Sequence, residues 1–136
     1  MFYEDEVTLR VRYKETDQMG FVHHSNYPVY YEYARTEILR RKGATYKMME
    51  EMGVMMPIIS VECRYRYPAK LGDRLKIVTR FEELPRARFT VFSEVYNQDD
   101  QLLVEGSVSM GFIDSATRRP VRCPAFLSDL FAEYLN

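Results

Sequence analysis

Apolar and polar residues alternate from residue 7 to residue 13, with Val7, Leu9, Val11 and Tyr13 on one side and Thr8, Arg10 and Arg12 on the other. A period of two predicts a strand with one buried face. After a polar loop the period changes. Tyr27, Tyr31, Ala34 and Ile38 recur at helical spacing with Tyr30 beside them, while Glu32, Glu37, Arg40 and Arg41 fall elsewhere on the wheel. Ser25 and Asn26 suit the helix start, Pro28 its first turn, and Gly43 its end. Glu37 and Arg41 make an i,i+4 pair of favourable order, and Glu32 and Arg35 an i,i+3 pair. A second, short helix spans about 45–52 and stops at Gly53.

From Pro57 the period of two returns. Ile59, Val61, Cys63, Tyr65 and Tyr67 alternate with Ser60, Glu62, Arg64 and Arg66, and Pro68 with Leu71-Gly72-Asp73 ends the run. Leu75, Ile77, Thr79 and Phe81 mark the next strand, and Phe89, Val91, Ser93 and Val95 the one after it. Asn97-Gln98-Asp99-Asp100 reads as a hairpin turn. Val104, Gly106, Val108, Met110 and Phe112 give a final long strand, and Pro124–Leu135 an amphipathic helix carrying Phe126, Leu127, Leu130, Phe131 and Tyr134. One strand, two helices and then four strands joined by short turns predict an α+β domain over residues 1–136. Its sheet edges invite pairing between subunits.

Composition narrows the function. A net charge of −1 without a long basic run gives no field for nucleic acid. No apolar run approaches the roughly 18 residues of a membrane span. The acidic opening Met-Phe-Tyr-Glu-Asp-Glu is unlike a secretory leader. Cys63 and Cys123 have no zinc-like spacing; one disulfide is possible by count, but Cys63 falls in a strand pattern as a small core residue. These features predict a cytoplasmic protein with reduced thiols that needs neither metal nor cofactor.

The chemistry gathers in residues 13–39. Asp17, Gly20 and the pair His23-His24 lie just before a helix N-terminus, where free N–H groups can stabilise developing negative charge. The string T-D-x-x-G-x-V-x-H-x-N-Y followed by E-x-x-R (Glu32, Arg35) resembles the hot-dog-fold acyl-CoA thioesterases, in particular the 4-hydroxybenzoyl-CoA thioesterase group and its short-chain branch. Y-P-A-K-L-G-D-R-L at 67–75 and T-x-R-P-V-R-x-P at 117–124 extend that likeness over nearly the whole chain.

The resemblance implies an antiparallel sheet wrapped around a long central helix, a homodimer or homotetramer, and hydrolysis of a coenzyme A thioester. Taken alone, an Asp before Gly more often caps a turn than catalyses. Within this motif Asp17 reads as the nucleophile or general base. His24 matches the family histidine, orienting substrate, hydrogen-bonding the carboxylate or assisting the leaving thiol. His23 stands where relatives often carry Tyr, so its backbone N–H, or that of His24, is the candidate for polarising the carbonyl. Tyr13 either reaches the site or packs in the core. Asn26 and Tyr27 close the motif as substrate contacts or as capping and packing residues. Lys70, Arg86 and Arg88 are candidate phosphate contacts for coenzyme A, although solvated charge explains each singly. Glu32 and Glu37 are reserve catalytic carboxylates. Met48, Met49, Met52, Met55 and Met56 either line an acyl pocket or fill the core. A hot-dog dehydratase is disfavoured because His-His-Ser-Asn-Tyr-Pro departs from its F-P-x-x-P-x-x-P-G string. An acyl-acyl-carrier-protein thioesterase and a non-catalytic acyl-thioester-binding protein stay open.

Overall fold

The computed structural model describes residues 1–135. The predicted helical stripe forms α1, Asn26–Arg41, and buries Tyr27, Tyr30, Tyr31, Ala34, Ile38 and Leu39. Arg40 and Arg41 stand in its last turn, favourably placed for the helix dipole. The short helix is α2, Tyr46–Glu51, and the Thr45 hydroxyl accepts from the Met48 N–H as its N-cap.

Five antiparallel strands form the main sheet: β1 (Tyr3–Arg10), β3 (Ile58–Tyr65), β4 (Arg74–Phe81), β5 (Arg88–Tyr96) and β6 (Leu102–Gly111), in the order β1-β4-β5-β6-β3. One register row runs Val7, Ile77, Val95, Val104 and Tyr65 across all five. The apolar side of the sheet and the buried stripe of α1 join in one core. This is the hot-dog arrangement, a sheet wrapped around a long helix. Two strands too short to show any alternation, β2 (Val54–Met55) and β7 (Ile113–Asp114), pair with each other and fasten the end of α2 to the chain after β6.

Several expectations are corrected. β1 ends at Arg10, and Tyr13 opens a single 3₁₀ turn, Tyr13–Glu15, where it is 81% exposed rather than packed in the core. The alternation of β3 is present, yet the strand is only partly covered: as the last strand of the sheet it pairs on one side alone, and although Cys63 is half-buried and the Tyr65 ring meets Tyr27 of α1 at 5.6 Å, Ile58, Val61 and Tyr65 stay about half exposed. A bulge at Ile59 also puts Ile58, not Ile59, in register with Met110. The tail forms only a short helix, α3 (Ala125–Asp129), before tightening into i→i−3 turns. Leu127, Phe131 and Leu135 still reach the core at helical spacing. Both cysteines are free and half-buried.

Candidate functional site

The segment between β1 and α1 is a small hairpin tied down at both ends. Thr16 bridges Val22, and the Asp17 N–H donates to the Phe21 carbonyl at 2.7 Å. Gly20 turns the chain at φ +80°, a left-handed conformation that side chains resist. The hairpin is laid against residues 69–71 through Val22 N–H to Ala69 O (2.9 Å) and Leu71 N–H to Gly20 O (3.0 Å). Backbone pairing on both sides makes this loop a rigid platform.

Asp17 is pinned by its own turn. Oδ1 accepts from the Met19 N–H at 2.8 Å and the Phe21 N–H at 3.2 Å, while Oδ2 has no partner among the described residues. The carboxylate borders an open cleft of about 330 Å³ with His24, Phe21, Tyr27, Tyr65 and Tyr67. The turn-capping role and a place at the cleft therefore coexist on one residue, with Oδ1 holding the turn and Oδ2 unpartnered among the described residues.

His24 shares that cleft, and its ring stacks on His23 with centroids 4.3 Å apart. The His23 ring turns to Ser25: Nδ1 accepts from the Ser25 N–H at 3.2 Å and lies 2.8 Å from its hydroxyl. Ser25 occupies the N-cap position of α1 but gives it no side-chain cap. Asn26 is likewise no cap, since its Nδ2 donates to the Glu15 carbonyl at 2.9 Å. Of the backbone donors at the helix start, His23 N–H is taken by Glu15 O at 2.8 Å, whereas His24 N–H is unpaired among the described residues.

Behind the hairpin lies a buried carboxylate. Glu15 accepts from the Arg12 N–H (2.9 Å), from Arg12 Nη2 (2.8 Å) and from the Tyr30 hydroxyl (3.0 Å). Burial by itself raises its pKa, but these hydrogen bonds outweigh burial and hold the carboxyl below the usual range. Tyr27 supports the cleft from below: its hydroxyl accepts from the Ala69 N–H at 3.3 Å, and burial pushes its own pKa up.

The remaining expected residues are placed as follows. Lys70 pairs with Phe21 across the edge of the hairpin, beside the cleft, with an exposed side chain. Arg86 and Arg88 are not brought there. Arg88 pairs with Gly111 at the end of the sheet where β3 begins, and Tyr65 stands at the other end of β3, about 24 Å away along the strand. Glu32 is exposed and makes no pair with Arg35, whose Nε donates instead to the Tyr46 hydroxyl at 3.1 Å. Glu37 is held by Arg40 at 2.6 Å and Arg41 at 3.7 Å, in ion pairs on the surface. Met49, Met55 and Met56 line a separate cleft, while Met52 is 51% exposed. Tyr65, Arg66 and Tyr67 border the Asp17 cleft and were not singled out from the sequence, although Tyr67 opens the Y-P-A-K-L-G string that packs on the hairpin. No cluster of metal-binding side chains occurs among the described residues. No helix among them is long and apolar enough to cross a membrane.

Residues 11–131 match the family model described as the thioesterase-like superfamily. An acyl-CoA thioesterase, YbgC of Helicobacter pylori, is 32% identical over 135 residues, covering 93% of this chain and 96% of that protein. A putative acyl-CoA thioesterase, YneP of Bacillus subtilis, is 29% identical over 93% of this chain and 91% of its own length. Among solved structures, a DHNA-CoA thioesterase from Staphylococcus aureus superposes with a TM-score of 0.87 at 27% identity, covering 96% of this chain and 88% of that one.

Proposed function

The chain belongs to the thioesterase-like superfamily, and from that membership we propose that it hydrolyses acyl-CoA thioesters to a free carboxylic acid and coenzyme A, with Asp17 as the reacting carboxylate. The observation that carries this reading is the divided environment of Asp17, a residue bordering an open cleft: Oδ1 is fixed by two backbone N–H groups, and Oδ2 has no partner among the described residues. A fixed carboxylate with one unoccupied oxygen is suited to attack a thioester carbon or to take a proton from an attacking water. In the first case an acyl-aspartyl anhydride forms as the C–S bond breaks, and water then opens it. In the second, water adds directly and its proton passes to Asp17. Either way the departing sulfur ends as the coenzyme A thiol.

The unpaired His24 N–H at the start of α1 is the donor for the developing oxyanion, an interaction of about 3 kcal/mol when well aimed. The His24 imidazole, which lines the same cleft, is the proton donor to the departing sulfur. Lys70 beside the cleft is the phosphate contact within one chain. Arg86 and Arg88 enter this reading only from a second subunit, in keeping with a homodimer or homotetramer. The half-exposed apolar side chains of the edge strand β3 support such pairing.

The test follows free thiol release from a panel of acyl-CoAs by the wild type and by Asp17→Asn. Hydrolysis of at least one thioester, with a loss of about 100-fold or roughly 2.7 kcal/mol of barrier in the variant, is expected. Inertness of both proteins toward coenzyme A and acyl-carrier thioesters would replace the hydrolase with a binding protein. Equal activity of both would remove Asp17 from the mechanism. Single turnover in ¹⁸O-water identifies direct attack when label enters Asp17, because water opening the anhydride at the aspartyl carbon leaves its oxygen there, whereas the general-base route puts it only in the product acid.

A further inference from the structure

The peptide between His23 and His24 has its two polar groups in opposite circumstances. Its carbonyl oxygen, on His23, accepts from the Asn26 N–H at 3.0 Å and from Asn26 Nδ2 at 3.3 Å. Its N–H, on His24, has no partner among the described residues. The peptide is trans, and a trans peptide is a rigid plane whose C=O and N–H point to opposite sides. Turning the oxygen toward Asn26 therefore turns the His24 N–H away from it. The other hydrogen of the Asn26 amide goes to the Glu15 carbonyl at 2.9 Å, which also receives the His23 N–H at 2.8 Å. One side chain thus fastens the plane of this peptide to the 3₁₀ turn before the hairpin. Helix capping does not explain the arrangement. A capping side chain accepts from the N–H groups of its helix, whereas Asn26 donates to carbonyls that precede α1.

We propose, on the hydrolase reading, that Asn26 is a positioning residue: it meets no reacting atom, and it holds the His23–His24 peptide so that the His24 N–H faces the thioester oxygen. A peptide at the junction of loop and helix can rotate about its flanking single bonds and present its carbonyl instead. An oxygen in that place repels the charge that an N–H stabilises, so the direction of this plane decides whether the developing oxyanion meets a donor. Fixing the plane in advance removes a reorganisation that the reaction would otherwise include. His24 borders the cleft shared with Asp17, but Asn26 does not, and both hydrogens of its amide already meet carbonyls. These bonds favour a brace behind the donor over a direct contact with substrate. The backbone N–H of residue 26 persists in any variant, so the side chain is worth less than the donor it aims.

The experiment pairs steady-state hydrolysis of acyl-CoAs with the residual dipolar coupling of the His24 N–H in weakly aligned, ¹⁵N-labelled full chain, which reads the direction of that bond. Asn26→Ala is expected to lose about tenfold in kcat with KM within about twofold, short of the roughly 10²–10³ that follows loss of an oxyanion donor. Its His24 coupling is expected to depart from the wild-type value while those of residues 30–38 in α1 stay. A serine hydroxyl can donate to the carbonyl three residues back but is too short for Glu15. Asn26→Ser is therefore expected to recover most of the lost rate together with the wild-type coupling. Asn26→Asp keeps the shape, suits a helix start and has no donor, so it decides the matter if Asn26→Ala fails to fold. A lost rate with an unmoved coupling overturns the proposal, as does a moved coupling with an unchanged rate. A change confined to KM also overturns it, by making Asn26 a substrate contact. If the wild type hydrolyses no thioester, the hydrolase reading fails and the catalytic role of Asn26 with it, whereas the coupling still shows whether Asn26 sets the plane.

Discussion

The Tyr30 hydroxyl donates a 3.0 Å hydrogen bond to Oε1 of Glu15, fixing the first turns of α1 to the 3₁₀ turn that leads into the Asp17 hairpin. The backbone carbonyl of the same Glu15 accepts from the His23 N–H and from Asn26 Nδ2, so one residue anchors both ends of the loop. Tyr30→Phe removes one hydrogen bond to a buried carboxylate, and a loss of about 1.5–3 kcal/mol in denaturant unfolding is expected.

The pH dependence of that stability has a definite sign. The folded chain holds the Glu15 proton less tightly than the unfolded chain, whose ordinary value is 4.5. The contribution is therefore complete above that value and is lost as pH falls through the lower folded one. Urea midpoints measured from about pH 6 down to about pH 3 are expected to fall less steeply in Glu15→Gln than in the wild type. An unchanged slope would mean that Glu15 is no anchor.

Asp17→Asn separates chemistry from folding. An asparagine carbonyl can accept from the Met19 and Phe21 N–H groups as Oδ1 does, so the hairpin persists and stability is expected to change by less than about 0.5 kcal/mol. In the proposed mechanism the amide neither attacks nor takes a proton, so hydrolysis is expected to fall about 100-fold. Asp17→Ala removes both functions, and it is expected to lose stability as well as rate. Circular dichroism melts alongside thiol release distinguish the two variants.

What was legible in the sequence follows from which signals are local. The stripe of α1 and the strands β4 to β6 are written in periodicity, and the hairpin in its Asp, Gly and flanking polar residues. The exposure of β3 is not local: its alternation matches that of β4, and only the sheet order makes it the outer strand. Helical spacing suggested Glu32 as the partner of Arg35, but Tyr46, eleven residues on, takes that place. The burial of Glu15 depends on Tyr30, fifteen residues away, and nothing in a polar Lys-Glu-Thr-Asp run reveals it. Arg86 and Arg88 and Lys70 look equivalent as surface cations until the register puts the two arginines at the far end of the sheet.

Lys42, just past the end of α1, is held in an aromatic cage. Its Nζ lies 4.0 Å from the centroid of Tyr3 and 4.5 Å from that of Tyr134, and it reaches the Leu130 carbonyl at 3.4 Å. This one ammonium links the helix end, β1 and the C-terminal tail. Lys42→Met keeps the aliphatic stem and removes the charge, so about 1–2 kcal/mol of stability is expected to go. Hydrogen exchange in residues 126–135 should quicken more than in β4. Uniform quickening would make the cage incidental to the tail.

Gly106 is required by the close approach of two strands. It pairs with Cys63 of β3 on one side and Ser93 of β5 on the other, and a Cβ there would collide with the Glu62 carbonyl oxygen. That obstacle is backbone, so relief requires β3 to move. Gly106→Ala is therefore expected to cost at least about 2 kcal/mol in equilibrium unfolding. Ser107→Ala, at the next position, should stay within about 0.5 kcal/mol. The damage should also reach the Asp17 cleft, because Tyr65 at the end of β3 forms part of its wall. A Gly106→Ala protein that kept full stability and full thioesterase activity would show that β3 tolerates displacement, and that its position sets neither the edge of the sheet nor the wall of the cleft.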